Sequence, residues 1–185
     1  MPAIKTVGVY CGASNQADAP YKEVAARTGE LLAKSGFNIV YGGVRLGLMG
    51  ILADHALANG GYVTGIIPAL LTELEGAHPA LSDIQIVDSM HTRKRKMSEL
   101  ADAFIILPGG FGTLDELFET LTWRQLQLHD KPIIIINTIG YWDPLKALVH
   151  NVIEEKFAAP GHANLVSFVL TIDEAIDAIS KISKI

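Results

Sequence analysis

Ala103-Phe104-Ile105-Ile106-Leu107-Pro108-Gly109-Gly110-Phe111-Gly112-Thr113-Leu114-Asp115-Glu116 decides the fold. Five apolar residues without alternation read as a strand covered on both faces, the signature of a parallel sheet. The glycine turn ends the strand, and Thr113 with the carboxylates behind it opens a helix. Such a strand–turn–helix step points main-chain N–H groups out of the helix start, where they form a seat for phosphate. Asp115 and Glu116 put acid chemistry beside that seat. The first expectation is therefore a site for a phosphorylated small molecule.

Outward from this stretch, the pattern repeats. Strands are expected at residues 4–10, 37–41, 62–67, 84–87, 103–107, 132–136 and 166–170, with helical segments near 18–35, 46–59, 89–101, 113–129, 141–157 and 173–182. Alternating β and α elements predict an α/β fold, a doubly wound parallel sheet of about seven strands with helices on both faces. The stretch from 72 to 82 reads as the longest irregular loop. The 185 residues show no repeat and no linker and are expected to form one domain, 1–185. In such sheets ligands bind beyond the carboxyl ends of strands, and the turns at 11–15, 42–50 and 108–116 all fall there.

Composition narrows the function classes. The chain is 49% hydrophobic, enough for a sizeable core. Mean hydropathy is +0.29, yet no run approaches the ~18 apolar residues of a membrane span. The net charge of −5 does not favour a nucleic-acid backbone as partner. Met1-Pro2-Ala3 leads into the first strand without a basic, apolar and small-residue leader, so a cytoplasmic protein is expected. Cys11 is the only cysteine, which excludes an internal disulfide and a cysteine-based metal site. The six histidines show no metal spacing, and neither a metal nor a redox cofactor is expected. No lysine stands in a Schiff-base context.

Two phosphate-binding fingerprints fail. Gly42 and Gly47 have the glycine spacing of a P-loop, but Leu48-Met49 replaces the Lys-Ser/Thr pair. The first turn, Cys11-Gly12-Ala13-Ser14, is not the dinucleotide pattern, and no acidic residue ends the second strand. For residues 42–50, a tight turn with close helix packing and a ligand contact stand about equal. Thr113-Leu114-Asp115-Glu116 matches a capping box, with Glu116 reaching back to the Thr113 N–H. Capping alone does not require Gly109, Gly110 and Gly112 together, whereas close approach of a phosphate does. On the same helix Leu114, Leu117, Phe118, Leu121 and Leu128 form the expected inner stripe. Glu116, Glu119 and Trp123 fall off it, on a second face suited to a subunit contact.

Asp88-Ser89-Met90-His91-Thr92-Arg93-Lys94-Arg95-Lys96-Met97 opens another helix, capped by Ser89 or Asp88. Arg95 and Lys96 read as a solvated face. Arg93 lies on the apolar stripe with Met90, Met97, Leu100 and Ala101, and an inward arginine needs an anion. That anion is a structural carboxylate, a substrate phosphate or Glu116, or else the arginine meets a base; spacing leaves these open. Cys11 reads as a small packed side chain. His91 reads as surface or cap.

Met90-His91-x-Arg93-Lys94 followed by Pro108-Gly109-Gly110-x-Gly112-Thr113-x-x-Glu116 resembles the paired signature of the LONELY GUY (LOG) proteins. Tyr10-Cys11-Gly12-Ala13-Ser14, Val40-Tyr41-Gly42-Gly43, Gly47-Leu48-Met49-Gly50, Gly65-Ile66-Ile67-Pro68 and Leu121-Thr122-Trp123 extend the resemblance over most of the chain. Two positions depart: Val44 stands where many relatives have a third glycine, and Thr92 where an acidic residue is frequent. The resemblance implies a Rossmann-like fold that dimerises and builds its site at the subunit interface. It implies a cytokinin riboside 5′-monophosphate phosphoribohydrolase, releasing free base and ribose 5-phosphate without a cofactor. The family's catalytic pair falls on Arg93 and Glu116. Its substrate contacts fall on Glu75, Lys94, Gly110, Phe111, Gly112, Thr113, Leu114, Asp115 and Thr122, with Gly109 and Ser14 in the matching turns. Alternatives are a general AMP or purine nucleotide nucleosidase and a non-catalytic nucleotide or cofactor carrier, as in the related molybdenum-cofactor carriers. Lysine decarboxylation is the first reading to drop.

Overall fold

The computed structural model describes residues 4–182; the expectation resting on Met1-Pro2-Ala3 lies outside them. Seven parallel strands form one sheet: β1 (Thr6–Tyr10), β2 (Asn38–Tyr41), β3 (Val63–Pro68), β4 (Asp83–Val87), β5 (Ala103–Ile106), β6 (Ile133–Ile136) and β7 (Ser167–Val169). Their order is β4-β3-β2-β1-β5-β6-β7, the expected Rossmann-like, doubly wound sheet. Every strand expected from sequence is present, with its ends within two residues of the expected ones.

Burial explains the unalternating apolar runs. In β6, Ile134 and Ile136 join the core on one face of the sheet, and Ile133 and Ile135 join the core on the other. Successive side chains point to opposite faces, so a strand covered twice must be apolar throughout. The first core holds helices α1 (Ala19–Lys34), α2 (Gly47–Ala58) and α7 (Ile172–Ile182). The second holds α4 (Met90–Leu100), α5 (Phe111–Gln125) and α6 (Asp143–Glu154). No helix among the described residues is long and apolar enough to cross a membrane.

Three expectations need correction. Residues 72–82 are not wholly irregular: α3 (Ala69–Leu74) runs into them. It buries none of its six residues, so it leaves no apolar stripe to read. Helix α5 starts at Phe111, two residues early, because Gly110 takes the N-cap position. Its fully buried residues are Thr113, Glu116, Leu117 and Thr120, while Leu114 and Leu121 of the expected stripe are only partly buried against the second core. Leu128 lies beyond the helix and is exposed, and Phe118 is partly exposed.

The topology fixes where a ligand can lie. β1 and β5 are neighbours, and the chain leaves them toward opposite edges of the sheet, since β2 flanks β1 and β6 flanks β5. Connections that part in opposite directions leave a crevice at the strand ends.

Candidate active site

The turns that follow β1, β2 and β5 are joined by hydrogen bonds. Gly12 N–H donates to the Pro108 carbonyl at 3.0 Å, and Leu48 N–H donates to the Gly12 carbonyl at 2.9 Å. Gly47 N–H donates to Asn15 Oδ1 at 2.8 Å. A cavity of about 530 Å³ opens over these turns. Its lining includes Ser14, Arg93, Gly109, Gly110, Gly112, Thr113 and Glu116, seven of the residues expected from sequence. The turn after β2 contributes as well, through Leu48 and Met49. At that turn packing and cavity lining are both realised.

The glycines of the β5 turn have different reasons to be there. A Cβ on Gly109 would sit 2.1 Å from Thr113 Oγ1 and 2.9 Å from Gly12 N, so packing demands glycine. A Cβ on Gly110 or Gly112 would meet nothing within 4 Å, and neither residue has positive φ. Internal packing and backbone strain therefore leave both positions unexplained. Their bareness keeps the helix start open to the cavity. No side chain caps α5, and its first main-chain bond runs from Leu114 N–H to the Gly110 carbonyl at 3.0 Å. The N–H groups of Phe111, Gly112 and Thr113 stand ahead of that bond without a helical acceptor.

The capping-box expectation is overturned here. Glu116 does not turn back to Thr113; its carboxylate Oε1 lies 3.7 Å from Arg93 Nη1, with both residues buried. Arg93 is the inward arginine read from the α4 stripe, although Met90 and Leu100 on that stripe are partly exposed. Its Nε donates to the Ile66 carbonyl at 3.1 Å and its Nη2 to the Gly42 carbonyl at 3.3 Å. A Cβ on Gly42 would fall 1.9 Å from that Nη2, so the glycine is what admits the guanidinium. Burial pushes the Glu116 carboxyl up to about 7, against the pull of Arg93, which favours the charged form. A carboxyl with such a value changes charge near neutrality, where a general base or acid is most useful.

Two of the three residues expected on the second face of α5 pair within the chain, Glu116 with Arg93 and Glu119 with Lys94. Glu119 and Asp115 both hold Lys94, at 3.2 and 3.0 Å. Burial alone would lower the Lys94 pKa, but these two carboxylates outweigh it and raise the value. Lys94 is thus a clamp between α4 and α5 and does not line the cavity. Leu114 packs against the second core. Phe111, Asp115, Glu75 and Thr122 face outward, and Thr122 Oγ1 donates to the Phe118 carbonyl. Cys11 lines the cavity floor, but burial pushes its thiol far above the usual range, which suits a packed side chain. Val44, the departure from the glycine pattern, is buried, and its carbonyl accepts from the Tyr41 hydroxyl at 3.2 Å. His91 is exposed, as expected. No group of three or more potential metal ligands occurs among the described residues.

Sequence reasoning missed Tyr21 and Tyr141, which line the same cavity. Tyr141 stands at the head of a segment read only as a helix, and nothing in its spacing marked it.

A family model described as "Possible lysine decarboxylase" matches residues 49–179. A cytokinin riboside 5′-monophosphate phosphoribohydrolase of Rhodococcoides fascians is 44% identical over 179 residues, 96% of this chain and 90% of that protein. The chain belongs to the LOG family. The rice LOG protein of the same description is 38% identical over 173 residues, covering 93% of this chain and 71% of its own length. Among solved structures, the molybdenum cofactor binding protein of Rippkaea orientalis superposes with a TM-score of 0.74 at 22% identity, over 97% of each chain. A molybdenum cofactor carrier protein from Chlamydomonas reinhardtii has a TM-score of 0.74 at 18% identity, over 98% of this chain and 99% of its own. These two likenesses establish the fold and leave the LOG relatives to speak for chemistry.

The raised Glu116 pKa has a thermodynamic consequence. The folded chain holds a proton on Glu116 that the unfolded chain has already lost between pH about 4.5 and 7, so this contribution to stability is complete below 4.5 and gone above 7. Gln carries no such term. Glu116→Gln should match the parent near pH 4.5 and exceed it by roughly 2–3 kcal/mol at pH 8. Urea denaturation at both pH values reads this directly, and parallel curves would refute it.

Proposed function

We propose that this chain hydrolyses the N-glycosidic bond of cytokinin riboside 5′-monophosphates, and of AMP, to free base and ribose 5-phosphate. The observation that carries the reading is the buried Glu116–Arg93 pair, 3.7 Å apart, facing a cavity that opens on the bare helix start of α5. The activity for which its LOG relatives are named supports the substrate class.

The 5′-phosphate sits on the N–H groups at the start of α5, where two glycines leave room for close approach. The ribose then lies over the first turn, within reach of Glu116. Cleavage of the C1′–N bond sends its electron pair to the base and leaves an oxocarbenium-like sugar, by analogy with glycosidases. The ionised Glu116 carboxylate stabilises that positive charge and takes a proton from the water that adds to C1′; the departing base takes up a proton from solvent at the nitrogen that received the electron pair, and Glu116 returns its proton to solvent. Arg93 favours the ionised carboxylate and offers its remaining donor capacity to the leaving base. No step requires a metal or a redox group.

The remaining expected contacts, Glu75, Phe111 and Thr122, point away from this cavity. Phe111 is 92% exposed directly beside the helix start. This pattern supports a homodimer in which these residues complete a site shared between two copies; the proposed location is the cytoplasm. The carrier reading draws on the fold likeness alone. A carrier would gain nothing from a carboxylate set next to an anionic phosphate. A general purine nucleotide nucleosidase uses the same residues and differs only in base preference.

Incubation with AMP and with isopentenyladenosine 5′-monophosphate, followed by chromatography of base and ribose 5-phosphate, tests the reading. Both products should appear in equal amounts, and Glu116→Gln and Arg93→Ala should each lower turnover on the order of 10²-fold or more. The ratio of the two substrates separates cytokinin release from AMP breakdown. A folded protein that releases neither base would move the carrier reading to the front.

Gly112→Ala separates a phosphate seat from an ordinary helix start. Alanine in the first turn should stabilise the fold by about 0.5–1 kcal/mol. The same methyl group should raise KM for the nucleotide if phosphate packs there. Higher stability with an unchanged KM would remove the phosphate from this position.

A further inference from the structure

The loop between β6 and α6 is held in an unfavourable shape for one visible result. Ile139 has φ 47° and ψ 29°, a left-handed conformation that a β-branched residue rarely adopts. Such strain persists only where the surroundings impose it, and it concentrates at functional positions. Here the surroundings are explicit. Asn137 accepts from Trp142 N–H at 2.7 Å through Oδ1 and donates to Asp143 at 2.7 Å through Nδ2. Trp142 is buried in the second core. The braced loop delivers Tyr141 into the cavity, where its hydroxyl donates to the Gly109 carbonyl at 2.6 Å. Its ring meets Tyr21 and Trp142 edge-on, with centroids 5.4 and 4.8 Å apart.

The accepting carbonyl belongs to the peptide between Gly109 and Gly110. Peptides joining two glycines reorient at little steric cost. The bond is trans, as are all peptide bonds among the described residues, so the Gly110 N–H points opposite to the Gly109 carbonyl. Fixing one therefore fixes the other. A flip of this peptide would turn a carbonyl oxygen, with its partial negative charge, toward the place proposed for the phosphate.

We propose that Tyr141 is a positioning residue: its hydroxyl locks the Gly109–Gly110 peptide so that the phosphate seat at the start of α5 is organised before the nucleotide arrives. This rests on the phosphate placement given under the proposed function. Tyr141 acts on phosphate affinity and not on the bond-breaking step, because Glu116 and Arg93 are held by other contacts. Tyr21 supports the Tyr141 ring through its edge, and no hydrogen bond of the Tyr21 hydroxyl is found among the described residues.

Tyr141→Phe deletes the hydroxyl and keeps the ring packing. Calorimetric titration with ribose 5-phosphate and steady-state kinetics with AMP are compared for the parent and Tyr141→Phe. One neutral hydrogen bond predicts about a 3- to 10-fold rise in both the ribose 5-phosphate Kd and the KM of Tyr141→Phe. Its kcat should stay within about twofold of the parent. A folded Tyr141→Phe with unchanged Kd and KM overturns the proposal, as does a fall in kcat at constant KM. A parent that does not bind ribose 5-phosphate also overturns it. If the parent binds ribose 5-phosphate but turns over no nucleotide, the hydrolase reading fails while the change in Kd still decides the role of Tyr141.

Discussion

Arg93 carries a full positive charge into the carboxyl edge of an apolar sheet, and the site is arranged around that fact. A buried guanidinium is tolerated only where protein groups replace its water. The carbonyls of Ile66 in β3 and of Gly42 just after β2 do so, and Glu116 does so from α5. Gly42 must be glycine because the arginine occupies the space of its side chain. The arginine thus ties β3 and the turn after β2 to two helices on one face of the sheet. In return, Glu116 is left in surroundings where its charge is only marginally tolerated.

That marginality links the fold to the chemistry. Burial raises the Glu116 carboxyl and Arg93 lowers it, and the balance lands near neutrality. A fully solvated carboxylate would be a weaker base, and one buried without Arg93 would remain protonated. The Lys94 clamp on Asp115 and Glu119 joins α4 to α5, the two helices that carry Arg93 and Glu116. The stability offered up for this arrangement comes from the two apolar cores, the first of which also reaches the cavity through Cys11 and Leu48.

Much of this was legible in the sequence, for identifiable reasons. The runs at 103–107 and 132–136 announce twice-covered strands because a parallel sheet leaves no face for polar side chains. Arg93 stood out because a cation on an apolar stripe requires an explanation. Glu116 was harder to read: the capping-box pattern and the buried carboxylate use the same residues. What separates them is Gly110, which takes the cap position and moves the helix start two residues toward the N-terminus. The polar buried face of α5 was hidden because threonines can satisfy themselves locally, as Thr120 Oγ1 does by donating to the Glu116 carbonyl at 2.8 Å. Tyr141 was invisible because its role depends on a strained loop and on a carbonyl more than thirty residues away. The short α3 escaped because a helix that buries nothing leaves no periodic trace.

The central claim is that Glu116 ionises near neutrality in the free protein and must be ionised to act. The pH dependence of kcat/KM reports the essential groups of the free enzyme. With AMP as substrate, the account predicts that kcat/KM climbs with pH through a midpoint near 7, and that a ¹³C NMR titration of the Glu116 carboxyl gives the same midpoint. A carboxyl signal that titrates near the ordinary value of about 4.3, with kcat/KM level through neutrality, would contradict it.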